Sequence, residues 1–143
     1  MTEYEISPWF YKDKPVLDAP QDYLGFVYLI TNTVTNRIYV GKKNLIMPKY
    51  RQVNGKRKKY MGESKWKDYW SSSAELQKDV LEYGKDKFKR EILTFCKTKG
   101  GLSYFEVKHQ ILQNVFEVDS YNGLMSIKFH RKHLNKEMVS DNE

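Results

Sequence analysis

The 143-residue chain has a single cysteine, Cys96, which excludes an internal disulfide and any cysteine-built zinc centre. Cysteine poverty of this kind suits a reducing compartment, so a cytoplasmic setting is expected. No run of 18 apolar residues occurs, so no membrane-spanning helix and no membrane partner are expected. The first twenty residues, MTEYEISPWFYKDKPVLDAP, lack the basic-then-apolar layout of a signal peptide. Proline is scarce too, yet three of the four prolines (Pro8, Pro15, Pro20) fall in this stretch and forbid a regular helix there. Histidine numbers three, and His130 with His133 lacks the third ligand a zinc site needs. Cys96 itself reads as a core residue.

What the chain does have is positive charge, concentrated in one block. Between Arg37 and Lys67 stand eleven Lys/Arg and one acid, Glu63, so that window is +10 and the rest is −3. Such a block is the electrostatic footprint of a polyanion-binding surface. Tyr50, Tyr60 and Trp66 are interleaved with it and can pack or stack, which favours nucleic acid over a merely solvated lysine loop. The block has no amphipathic helix for a membrane surface.

The length suits one domain able to bury most of its apolar surface. Residues 1–24 read as an extended arm, whose PWFY run is too aromatic for a bare tail and packs on the domain or a partner. Residues 25–135 read as the domain and 136–143 as a frayed end. Gly25–Thr31 and Asn36–Gly41 read as a hairpin. Pairing 31 with 36 puts Val27, Leu29, Ile38 and Val40 on one face and sets Tyr28 opposite Tyr39 on the other, with Asn32–Thr35 as the loop. Asn54-Gly55 inside KYRQVNGKRKKY signals a basic two-stranded ribbon, and a disordered lysine loop fits equally well. Ser72 with Glu75, and Ser103 with Glu106, form capping-box patterns ahead of two helices; Gly84 ends the first. The second helix takes its apolar stripe from Phe105, Ile111 and Leu112, or from Tyr104, Val107 and Ile111. Lys87–Cys96, with Phe88, Ile92 and Leu93, reads as a third strand. SYNGL reads as a turn, and the pattern of SIKFHRKHL does not decide between strand and helix.

This order of elements, with Phe26-Val27-Tyr28 and Tyr39-Val40-Gly41 ten residues apart, resembles the GIY-YIG nuclease family over about residues 25–123. The first motif departs from Gly-Ile-Tyr at two positions. The resemblance implies an α/β (α+β) fold with a small three-stranded antiparallel sheet flanked by helices. It also implies hydrolysis of DNA phosphodiesters with one divalent metal, Mg²⁺ or Mn²⁺. The layout looks most like the free-standing, homing-endonuclease-like members carried by bacteriophages. Glu106 falls where the family keeps its metal-binding glutamate, and Asn122 where it keeps a late asparagine that holds the site backbone or a water. The family's arginine on a helix after the second motif has no direct counterpart. Arg57 and Arg51 are the candidates in its place, Arg57 first, with Lys43 and Lys67 as stand-ins.

The chemistry suits these residues. Phosphodiester hydrolysis needs a nucleophilic water, a neutralised phosphate and help for the leaving oxygen. A phenol near its ordinary pKa of about 10 is a poor base at neutral pH unless cations lower it. Lys42 and Lys43 beside Tyr28 and Tyr39 are expected to do so, with one phenol at the water and the other on the phosphate. A single carboxylate, Glu106, suits Mg²⁺, which keeps most of its waters. By spacing, His109 falls beside it. Lys42, Lys43, Arg51, Lys56, Lys58, Lys59 and Lys67 are the expected DNA-contacting cations. Cutting both strands with so small a domain needs a homodimer or two encounters. The rival readings are a nucleic-acid-binding module of the same fold without cleavage, and an interaction protein that docks through PWFY.

Overall fold

The computed structural model describes residues 2–123 and Glu137. His130, His133 and the undecided SIKFHRKHL stretch lie outside the described residues, as does the expected frayed end apart from Glu137.

A short helix α1 (Glu3–Ile6) leads into strands β1 (Trp9–Tyr11) and β2 (Lys14–Pro15). Then come β3 (Gly25–Asn32), β4 (Ile38–Asn44), β5 (Ile46–Val53), β6 (Lys56–Glu63), α2 (Ala74–Tyr83), β7 (Phe88–Cys96) and α3 (Lys99–Leu112). The α/β class is as expected, but the main sheet has five strands in the order β2-β1-β7-β3-β4, not three. The two extra strands come from the arm. Trp9–Tyr11 pairs parallel with Arg90–Ile92 on β7, whose outer backbone groups would otherwise stand unpaired. Lys12 and Asp13 take positive φ (49° and 66°) and turn the chain back into the charged, two-residue edge strand β2.

The β3–β4 hairpin keeps the expected faces but shifts the pairing by two residues. Thr31 pairs Ile38, Ile30 pairs Tyr39, and Tyr28 pairs Gly41. The longer loop arises because Asn36 adopts φ 64° while the Asn32 side chain accepts from the N–H groups of Val34 and Thr35. A two-residue shift preserves alternation, so Val27, Val40, Leu29 and Ile38 still meet on one side with Cys96, Leu102 and Phe105 of β7 and α3.

The other face of the sheet carries the larger core. Trp9, Phe26, Tyr28, Ile30, Trp66 and Leu76 are all fully buried there. Trp9 lies edge-on to Phe26 and Tyr28, each at 5.1 Å, and its indole N–H donates to the Trp66 carbonyl at 2.8 Å. A bulge in β7 opposite Val27 and Tyr28 lets Phe95 pair Phe26 and Ile92 pair Tyr28. Arg90 is buried on this side as well. Its guanidinium donates to the carbonyls of Ser7, Lys67 and Tyr69, tying the arm and the 66–70 segment to the sheet.

Both helices start later or earlier than their capping patterns imply. Ser73, not Ser72, caps α2 by accepting from Leu76 N–H, and Gly84 (φ 95°) ends it. Thr98 caps α3, so Ser103 and Glu106 lie inside the helix and Glu106 has no capping role. The buried face of α3 presents Gly101, Leu102, Val107 and Gln110; Ile111 and Leu112 are exposed, against the expected stripe. At its N-terminus, the buried Glu137 carboxylate accepts from the backbone N–H groups of Lys97 and Thr98 and from the Thr98 hydroxyl. A carboxylate there satisfies otherwise orphaned donors and suits the positive end of the helix.

Trp9→Ala removes a fully buried indole from the centre of the larger core and should lower unfolding free energy by about 3–5 kcal/mol. Urea denaturation of the two proteins measures this; a loss below about 1 kcal/mol would mean that the arm is dispensable.

Candidate active site

Alternation along β4 puts Tyr39, Gly41 and Lys43 on the face of the larger core, and Val40 and Lys42 on the α3 side. Tyr28 comes from β3 directly opposite Gly41. A Cβ on Gly41 would fall 2.6 Å from the Tyr28 hydroxyl and 2.7 Å from the Tyr39 ring. The glycine is what lets both phenols lie over the strand, and their rings sit 6.0 Å apart, tilted by 32°. A third phenol, Tyr69, stands edge-on to Tyr28 at 6.0 Å. The Tyr39 hydroxyl shares a 3.1 Å hydrogen bond with Ser72.

Tyr28 is fully buried and Tyr39 only partly so. The lysines do not lower these phenols as the sequence suggested. Burial pushes Tyr28 well above the ordinary phenol range, and the nearby Tyr69, Tyr39 and Glu106 push it further. Burial also raises Tyr39, with Tyr69 and Glu106 adding to the rise and the Ser72 hydrogen bond opposing it. Desolvation outweighs the lysines because Lys42 projects to the other side of β4 and Lys43 is itself pushed down by burial. Both phenols are therefore protonated at neutral pH.

Glu106 approaches from α3. Its side chain is 18 % exposed, and Lys42 Nζ lies 3.9 Å away while donating to Ser103 at 2.9 Å. Burial raises the Glu106 carboxyl, and Lys42 only partly offsets this. Asn122 holds the backbone of the site. Its side chain accepts from Val40 N–H at 2.9 Å and donates to Val40 C=O at 2.8 Å, covering the outer edge of β4 as a partner strand would. Gln110 adds a donor to the same carbonyl at 3.3 Å.

Tyr28, Tyr39 and Lys43 thus share one face of β4, while Glu106 and Lys42 pair on its α3 side and Asn122 holds its outer edge. It does not bring Arg57 to them. Arg57 lies one pair from the tip of the β5–β6 ribbon, its guanidinium 3.9 Å from the centre of the Tyr50 ring. Arg51, Lys56, Lys58 and Lys59 stand on the same ribbon, and Lys67 sits over Tyr4 and Trp66. Of the other described arginines, Arg90 is spent on carbonyls and Arg37 on Glu75, Asp119 and the Ser120 carbonyl. The cation that shares the phenol face is Lys43, its ammonium 4.5 Å from the centre of the Tyr69 ring. His109, one turn beyond Glu106 on α3, shares a 2.7 Å hydrogen bond with Thr94.

Residues 9–133 match a family model described as "Putative endonuclease segE, GIY-YIG domain". The chain belongs to the GIY-YIG nuclease family. No curated protein and no solved structure matches it. As a GIY-YIG endonuclease domain of the SegE type, it carries the family's tyrosine pair on adjacent strands and a glutamate on the helix that backs them. A partly buried carboxylate whose compensating ammonium is 3.9 Å away is short of positive charge, which a hard dication supplies. No cluster of three His, Cys, Asp or Glu side chains that could hold a metal ion occurs among the described residues.

Sequence reasoning missed Tyr69, Ser72 and Arg90. Tyr69 and Ser72 lie in KDYWSSS, where Ser72 read only as a helix cap and Tyr69 as one more aromatic. Arg90 was hidden inside a strand pattern, where a cation reads as solvent-facing.

Two outcomes follow from the raised pKa values. Tyr28 is protonated more firmly in the folded chain than in the unfolded one. Its contribution is therefore complete below pH about 10 and is lost as pH climbs through the folded value. Tyr28→Phe should lose less stability than the parent between pH 8 and pH 11 in urea unfolding; equal losses would contradict the burial effect. Glu106 follows the same sign, favouring the fold below its ordinary pKa and burdening it above. Glu106→Gln should melt higher than the parent at pH 7, with the gap closing near pH 4.

Proposed function

We propose that this chain is a divalent-metal-dependent DNA endonuclease, with Tyr39, Tyr28, Glu106, Lys43 and Asn122 forming its working site. The observation that carries the proposal is the packing of the two motif-strand phenols over Gly41, with rings 6.0 Å apart and the half-buried Glu106 carboxylate near enough to raise both electrostatically. Glu106 would hold Mg²⁺ or Mn²⁺, which when bound neutralises phosphate charge and supplies an acidified water. Tyr39, the more open phenol, meets the attacking water or the phosphate, and Ser72 fixes its hydroxyl. Tyr28 is a positioning residue: buried and protonated, it sets the Tyr39 ring and hydroxyl from behind. Lys43 supplies a point charge for the scissile phosphate in place of a bidentate guanidinium. Asn122 keeps the β4 backbone fixed under both motif residues.

Purified protein with supercoiled plasmid and Mg²⁺ should give nicked or linear product, and EDTA should prevent it. Glu106→Gln should lower the rate by about a thousandfold or more while duplex binding stays within about threefold. Mg²⁺ should raise the melting temperature of the parent and not of Glu106→Gln. Unimpaired cleavage by the variant would remove Glu106 from the metal.

Arg90, the described arginine on the phenol side of the sheet, is spent on backbone carbonyls, and the lack of a free guanidinium there favours a second reading, a DNA-binding module with the same fold and no cleavage. Plasmid left intact by the parent with either Mg²⁺ or Mn²⁺, alongside normal duplex binding, selects it. The interaction-protein reading loses its basis, because Trp9 of PWFY is consumed inside the chain's own core.

A further inference from the structure

β5 and β6 form a sheet of their own, separate from the five-stranded one. Their pairing runs unbroken from Ile46↔Glu63 to Val53↔Lys56, closed by Asn54 and Gly55 at φ 52° and 75°. Directly paired residues share a face, so the register sorts the charges. One face carries Met47, Lys49, Arg51 and Val53 with Gly62, Tyr60, Lys58 and Lys56. The other carries Ile46, Pro48, Tyr50 and Gln52 with Glu63, Met61, Lys59 and Arg57. The first face has four cations and no acid; the second has two cations and one acid.

No ribbon cation is ion-paired among the described residues. Four uncompensated like charges on so small a face repel one another, a cost that an anionic partner removes. The face is also prepared for contact. A Cβ on Gly62 would fall 2.7 Å from Lys49 Cδ, so the missing side chain lets the Lys49 stem lie flat across the ribbon. The Tyr60 ring backs the Arg51 guanidinium at 5.2 Å. The base of the ribbon is fixed. Buried Leu45 donates to the Leu24 carbonyl at 2.7 Å and accepts from Ser64 N–H at 2.8 Å, just beyond Lys43 of the phenol site.

We infer that the ribbon lies along a groove of double-stranded DNA with its Lys49–Arg51–Lys56–Lys58 face toward the duplex, anchoring the duplex at a fixed distance from the phenol site. The inference rests on the nuclease reading above. The major groove of B-DNA admits a two-stranded ribbon, whereas that of duplex RNA is too deep and narrow. Eight residues at about 3.3 Å each give a reach of about 26 Å, or about seven to eight base pairs at about 3.4 Å.

The test uses the Glu106→Gln protein as parent, so that binding is read without cleavage. Its affinity for a labelled 30-base-pair duplex is measured by anisotropy from 50 to 200 mM salt. Arg51→Ala/Lys58→Ala should weaken binding at least tenfold and flatten the log–log salt slope by about 1.8, two phosphate contacts at about 0.9 each. Arg57→Ala/Lys59→Ala, on the opposite face, should flatten it by less than half as much. All four side chains are exposed, and circular dichroism melts within about 2 °C of the parent establish that the fold is retained. Hydroxyl-radical protection by the parent should extend about seven to eight base pairs to one side of the cut and retract in the Arg51/Lys58 variant. Equal slopes for both pairs, symmetric protection, or tighter binding of an RNA duplex would each overturn the inference. A parent that binds no DNA would overturn the nuclease reading as well, whereas a parent that binds while both variants match it defeats the ribbon alone.

Discussion

Tyr28 is held by rings on every side. Trp9 and Phe26 pack on it edge-on, Tyr69 closes from a third direction, and Tyr39 lies tilted beside it. This aromatic contact couples stability to the site, because the side chains that fill the larger core also set where two hydroxyls point. Aromatic pairs of this geometry add roughly 0.5–1.5 kcal/mol each beyond their burial. The arm, the 66–70 segment and β3 all converge there, and Arg90 binds the carbonyls of the first two to the sheet.

The same burial sets the site's electrostatics. A water-exposed phenol beside lysines would tend toward phenolate; here the rings exclude water, and the hydroxyls keep their protons. Protonated phenols serve as donors and as relays, not as bases waiting in the resting state. The charged members lie at the rim: Glu106 and Lys42 from the α3 side, Lys43 from the phenol side. A partly buried carboxylate that is imperfectly neutralised costs stability, a common condition at sites that need a charge to be available.

Charge was the most legible property of the sequence, yet its uses divide in three. Arg37 belongs to the basic window but is consumed by Glu75, Asp119 and the Tyr121 ring, where it joins the hairpin loop to α2 and the 119–122 segment. Lys42 and Lys43 leave opposite faces of β4. Of the remaining eight, six stand on the ribbon, each face with its own balance, and Lys65 and Lys67 follow it. A count of lysines and arginines cannot separate these groups, because the sorting depends on strand parity and on which acid lies within reach.

By itself the sequence determined the strand pair, its faces, the Phe88–Cys96 strand and the two motif tyrosines. These follow from local rules: alternation, turn chemistry and residue type act over a few neighbours. The two-residue shift in the hairpin, the late start of Ser73's helix and the early start of Thr98's were decided by competing caps and loop bonds of nearly equal local merit. Only the tertiary structure decided that PWFY adds strands to the sheet, that Tyr69 and Ser72 join the phenols, and that Arg57 does not. Those outcomes depend on contacts between residues dozens of positions apart, where burial chooses among partners that the local pattern treats as equivalent.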